Sequence, residues 1–164
     1  MKRFNDWLYK DGRPNAVARI LNRISAILYA SDRTLDYVAT LSVTGRKSGK
    51  LITFPVVVIT MNDDDYLVAM LGEKVNWVKN VRAAGGRATF RKGVSSPVLL
   101  TEVPPESRTP ILQRYLQVAT SGRTHFPVSP DAKVAEIDAI AGDYPVFRID
   151  RTGPAGGEHG RHDD

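Results

Sequence analysis

"LDYVATLSVTGRKSGKLITFPVVVITMNDDDYLVAML", residues 35–71, decides the fold. Three runs rich in β-branched and aromatic residues, at 35–44, 50–60 and 66–71, are separated by "GRKSG" and "MNDDD", both turn-forming. Connections that short join antiparallel neighbours, so the segment reads as a meander. Pro55 inside the second run has no N–H to give to a ladder, which predicts an edge position or a bulge there.

Working outward, "VNWVKNVRAAGG" (75–86) sets Trp77 and Val81 at i,i+4 and ends on Gly85 and Gly86, a helix with a glycine stop. "RATFRKG" and "SPVLLTEV" alternate well enough for a second hairpin. Two helical patterns follow, "ILQRYLQVA" and "DAKVAEIDAIA", and then a closing strand "YPVFRI" at 144–149. Upstream, "NAVARILNRISAILYA" (15–30) places Val17, Ile20, Leu21, Ile24, Ile27 and Leu28 on one helical stripe with Arg19 and Arg23 opposite. That N-terminal amphipathic helix needs a cover: the protein's own barrel, another subunit in a homodimer, or an anionic membrane surface. Helices and strands are segregated with no βαβ rhythm. The fold class expected is therefore α+β, built on a largely antiparallel sheet or small barrel.

Composition bounds the rest. A chain of 164 residues, 42% hydrophobic, makes one domain with a genuine core, placed here at 1–150. "RTGPAGGEHGRHDD" (151–164) reads as a flexible polar tail, and it takes His159 and His162 with it. The absence of cysteine removes disulfides, thiolate nucleophiles and zinc thiolate sites together. No apolar run approaches the roughly 20 residues of a membrane span and no signal peptide is evident, so a cytoplasmic location is expected, with peripheral contact at the inner membrane face as an option. The net charge of +5 calls for an anionic partner. It is patchy: seven Lys/Arg against three Asp over 1–33, and six cations without an acid over 74–92. Nucleic acid is not expected, because no aromatic-plus-basic module accompanies the charge.

Candidate chemistry is sparse. "GRKSGK" (45–50) is not a phosphate-binding P-loop, which needs four residues between its glycines and a following helix; here a strand follows. Two readings stay open: a glycine turn whose amides and cations Arg46, Lys47 and Lys50 converge on an anion, or a solvated hairpin turn. Trp77 at helical spacing reads as core before it reads as a ligand platform, and Lys79 and Arg82 as a solvated face. His125 sits in a Pro-flanked loop with no relay partner nearby, a poor general base. With histidine and cysteine so scarce, hard chemistry would belong to a cofactor.

"TGRKSGKLITFPVVV", "YLVAMLGEKVNWVKNVRAAGGRATFRKG" and "YPVFRI", in that order over Leu35 to Ile149, resemble the deazaflavin-dependent nitroreductase and quinone reductase family of actinobacteria. The resemblance implies an FMN-binding-like split β-barrel and an oxidoreductase that passes a hydride from a deazaflavin to a small-molecule electron acceptor such as a quinone or nitroaromatic. The cofactor implied is coenzyme F-420, with its phosphate and acidic oligoglutamate tail, in preference to flavin mononucleotide (FMN). Carried over, Arg46, Lys47, Ser48 and Gly49 would hold the phosphate and Lys50 would stay near the acidic tail. Trp77 and Asn80 would border the cofactor pocket with Met70, Leu71 and Gly72. Where many members carry a longer Gly-rich loop before the Trp helix, this chain has only "GEKVN". The alternative is a non-catalytic module on the same scaffold, binding an apolar ligand or flavin or docking at a membrane.

Overall fold

The computed structural model describes residues 37–119 and 122–152, together with two short paired strands at Tyr9–Lys10 and Arg13–Pro14. The expected first helix and the tail beyond residue 152 lie outside the described residues. Six strands close into a barrel: β1 (Val38–Thr44), β2 (Leu51–Met61), β3 (Asp64–Val68), β4 (Arg87–Lys92), β5 (Val94–Glu102) and β6 (Val146–Arg151). Their order around the barrel is β1-β2-β3-β6-β5-β4, with β4 returning to β1, and every pairing is antiparallel. This is the largely antiparallel α+β split barrel that the sequence predicts.

Alternation accounts for the interior. Ala39, Leu41 and Val43 of β1 point inward with Phe54, Val56 and Val58 of β2, Phe90 of β4 and Phe147 of β6. Helix α1 (Asn76–Ala83) adds Val78 and Val81 to the same cluster and so belongs to the barrel's core. Gly86 ends the helix with φ +80, and a Cβ there would lie 2.4 Å from the Leu100 carbonyl oxygen; the Leu100 N–H in turn donates to the Gly86 carbonyl at 2.8 Å. Only glycine lets the chain leave α1 so close to β5.

A second core lies outside the barrel wall. The crossover from β5 to β6 carries α2 (Thr109–Val118) and α3 (Val134–Ile140), and Ile111, Leu112, Tyr115, Leu116 and Ile137 pack over Ile59, Val68, Met70 and Val146. Val58 therefore faces the barrel interior while Ile59, its neighbour, faces the helices. Burial on both faces is why "VVVI" reads as an unbroken apolar run rather than an alternating one.

Three boundaries move. The hairpin from β2 to β3 turns on Asn62 and Asp63, both at positive φ (52° and 65°), the geometry a two-residue type I′ turn demands. β3 stops at Val68 and not at Leu71, because the Ala69 N–H goes to the Pro145 carbonyl (2.9 Å) and the Gly72 N–H to the Ala69 carbonyl (2.8 Å), turning the chain toward α1. β6 runs to Arg151, the first residue assigned to the tail, because Arg151 pairs with Val98 and its guanidinium donates to Asp65 at 3.2 Å.

Arg108 is nearly buried at 4% exposure and holds the crossover to the barrel. It donates to the carbonyls of Val103 (2.8 Å), Ala141 (3.1 Å), Gly142 (3.3 Å) and Tyr144 (3.3 Å), and to Glu102 (3.1 Å). Glu102 also accepts from Arg82, which pairs with Glu73 as well, so Arg82 is not the free solvated cation expected beside Lys79. Removing Arg108 strips a buried charged donor from several acceptors at once, whereas Arg82 is partly exposed and screened. Arg108→Met should lower unfolding stability by about 3 kcal/mol and Arg82→Met by less than about 1 kcal/mol, read from urea midpoints at constant slope.

Candidate functional site

β2 is paired unevenly. β1 runs beside it from Thr44↔Leu51 to Val38↔Val57, but β3 joins only at Val58↔Leu67, so over 51–57 one edge of β2 has no partner strand among the described residues. Pro55 sits in that one-sided stretch, where its missing donor costs no ladder bond. The N-terminal turn of α1 lies along the same region, and two depressions open there.

The first is polar and basic. Gly45, Arg46, Lys47, Ser48, Ile52, Asn76 and Asn80 line it, with no carboxylate among them. The turn is closed by the Gly45 N–H to the Lys50 carbonyl (2.8 Å) and the Gly49 N–H to the Gly45 carbonyl (2.8 Å). A Cβ on Gly45 would meet Ser48 Oγ at 2.8 Å and Ile52 Cδ1 at 2.9 Å, so a larger residue there would push those two side chains aside. The Lys50 N–H donates to Ser48 Oγ at 3.3 Å. Arg46 is exposed but tethered: its guanidinium donates to Asn80 Oδ1 (2.9 Å) and Asn76 Oδ1 (3.4 Å). Chemically, this is a water-open cradle of two cations and a hydroxyl, suited to a compact anion.

The second depression is apolar. Pro55, Val56 and Val57 of β2, Leu67 and Val68 of β3, and Met70, Leu71, Val75, Trp77 and Tyr115 line it, around a cavity of about 30 Å³. That is well below the roughly 300–1,000 Å³ of small-molecule sites, so the lining side chains largely fill the cleft. Trp77 packs against Phe54 (ring centroids 5.9 Å) and Phe147 (5.5 Å), as the core reading expects, and it also lines the cleft. The Tyr115 hydroxyl donates to Met70 Sδ at 3.1 Å. A thioether is a weak acceptor, and burial pushes the phenol well above its ordinary value.

The site residues expected from the sequence thus divide. Arg46, Lys47, Ser48 and Asn80 meet in the basic cradle; Met70, Leu71 and Trp77 meet in the apolar cleft. Gly49 and Lys50 shape the turn without lining either, and Gly72 forms the bend that leads into α1. Asn76 was not singled out, although an Asn–Asn pair at i,i+4 on one helix face is legible in "NWVKN". Tyr115 and the β2 segment of the cleft carry no local signal; the topology brings them together.

Residues 22–121 match the family model described as F420H2-dependent quinone reductase, over half of the 164 residues. No curated protein matches the chain in sequence. Among solved structures, a protein crystallised as a domain-swapped dimer is similar over 83% of this chain and 100% of its own, with 17% identity and a TM-score of 0.51. A protein of unknown function from Agrobacterium tumefaciens is similar over 79% of this chain and 55% of its own, at 14% identity and a TM-score of 0.53. An F420-H2-dependent reductase aligns over 70% of this chain and 94% of its own, at 20% identity and a TM-score of 0.45. At these identities the first two establish the shared fold alone.

The buried phenol sets a pH limit. Its folded pKa lies above the unfolded value, so the unfolded chain loses this proton first, and stability present below about pH 10 falls as the pH rises through and beyond it, by up to about 1.4 kcal/mol per pH unit. Tyr115→Phe should flatten that alkaline decline while leaving stability at neutral pH within about 1 kcal/mol, measured as urea midpoints across alkaline pH.

Proposed function

Since the chain belongs to the F420H2-dependent quinone reductase family, and so to the oxidoreductases that work with coenzyme F-420, we propose that its basic turn holds the cofactor's phosphate and its apolar cleft admits an electron-poor acceptor, a quinone or a nitroaromatic. One observation carries the reading: the N-terminal turn of α1 separates an acid-free cationic cradle from an apolar cleft along a single unpaired stretch of β2. The donor set of the cradle suits a phosphate ester, and the apolar lining of the cleft suits a planar ring once its side chains give way to admit one. A non-catalytic role is not favoured for a chain of this family.

When bound, the deazaflavin supplies the hydride. What the chain must supply is position and dryness, because hydride transfer needs close apposition and no ionisable nucleophile. Arg46, Lys47 and the Ser48 hydroxyl bind the phosphate with charge-assisted bonds. Lys50, exposed at the end of the turn, faces the acidic tail. Trp77, fixed by Phe54 and Phe147, forms a rigid wall, and Val56, Val57, Leu67 and Leu71 keep water from the reacting faces. Tyr115 spends its proton on Met70 and is not placed as an acid.

Side-by-side titration of the purified protein with F-420, FMN and NADPH tests the cofactor; F-420 should bind at least about tenfold more tightly than either, and tighter FMN binding would overturn the reading. Arg46→Ala and Lys47→Ala should each cost on the order of ten- to hundredfold in F-420 affinity by fluorescence quenching. Lys47→Ala should keep its thermal midpoint, whereas Arg46→Ala should lose about 1 kcal/mol with its bonds to α1. In the cleft, Val57→Asp should raise the KM for a naphthoquinone about tenfold and leave F-420 affinity within about twofold, because it desolvates a carboxylate only when the acceptor enters. A change in both constants would mean that the two depressions do not divide the ligands as assigned.

A further inference from the structure

Asn80 binds Arg46 at two points. Its Oδ1 accepts from the Arg46 backbone N–H (3.2 Å) and from the Arg46 guanidinium Nη1 (2.9 Å), while Asn76 Oδ1 takes Nη2 at 3.4 Å. Asn80 is 4% exposed, whereas Arg46, Lys47 and Ser48 are open to solvent. The helix that carries it cannot yield easily, because Val78 (0% exposed) and Val81 (1%) on either side of Asn80 are set in the barrel core.

We propose that Asn80 is a positioning residue, which acts on the bound anion through Arg46 rather than by touching the ligand; the proposal rests on the phosphate reading of the turn given above. Two donors converge on one carboxamide oxygen, so that oxygen is committed to Arg46, and an anion offers it no proton in exchange. Holding an arginine at both its amide and its guanidinium fixes the whole side chain. A free arginine would lose its rotamer freedom on binding the anion, a cost that prior anchoring removes. The guanidinium is thus ordered before the ligand arrives, with its remaining N–H groups left for the anion.

A double-mutant cycle read by quenching of oxidised F-420 tests the route of action. Asn80→Ala should weaken binding about tenfold when Arg46 is present and less than about twofold when Arg46 is already alanine. An equal loss in both backgrounds would overturn the proposal, because Asn80 would then contact the ligand itself. If Arg46→Ala alone leaves the affinity unchanged, the phosphate reading fails and this proposal goes with it, a result distinct from the first. A cofactor-free measurement stands beside the cycle: hydrogen exchange at the Arg46 amide should be at least about tenfold faster in Asn80→Ala, and an unchanged rate would refute the anchoring. Should that variant unfold, Asn80→Asp keeps the acceptor oxygen and the amide protection but sets a negative charge on the guanidinium. It should bind F-420 more weakly than wild type while folding normally, and wild-type affinity there would count against the proposal.

Discussion

Everything in this molecule turns on the unequal pairing of β2. A strand of 11 residues is joined to β1 along most of its length but to β3 only from Val58 onward. An unpartnered strand edge in a barrel wall exposes backbone donors and acceptors and leaves a gap in the core. Here the gap is filled from inside by α1, whose Val78 and Val81 enter the barrel cluster and whose Trp77 wedges between Phe54 and Phe147. The closure is incomplete on the outer side, and the candidate site lies at that gap. A fully paired β2 would have sealed the cleft beside Pro55 and Val57.

Much of this could be read from the sequence because it is written in short-range terms. β-branched runs, turn residues and a helix ending on two glycines are local signals, and they placed the six barrel strands and the three α-helices of the described residues within a few residues. Pro55 went further and announced a one-sided strand. The residues that escaped are those whose role depends on partners far along the chain. Arg108 looks like any charged residue before a helix, yet it holds carbonyls from Ala141, Gly142 and Tyr144. Arg82 looked like a solvated face until Glu73 and Glu102 were brought to it by the fold.

The candidate site was legible in the same uneven way. The family resemblance and "GRKSGK" named Arg46, Lys47, Ser48 and Asn80 of the cradle but not Asn76, and the turn alone left both an anion clamp and a solvated loop open. The bond from Arg46 to α1 was out of reach of that reading, because it is a contact between residues in different elements that no local pattern encodes. The apolar cleft is the harder case. Its walls come from β2, β3, the bend after β3, α1 and α2, and each contributing residue looks like ordinary core until the gap in the strand pairing is known.

The order of strands around the barrel bears on how the chain can be made. β6 stands between β3 and β5, pairing Tyr66 with Arg148 and Leu100 with Ile149, so the last described strand is the one that closes the wall. Until it arrives, β3 and β5 each present a raw edge, and both cores lack Val146, Phe147 or Ile149. Contacts this distant in sequence are slow to form, since the intervening chain must lose its loop entropy before they repay it. A nascent chain emerging from the ribosome therefore has no stable barrel until β6 is clear of the tunnel. By the same reasoning a fragment ended at residue 121, where the family match stops, would keep every residue of the cradle and still lack the strand that closes the wall around it.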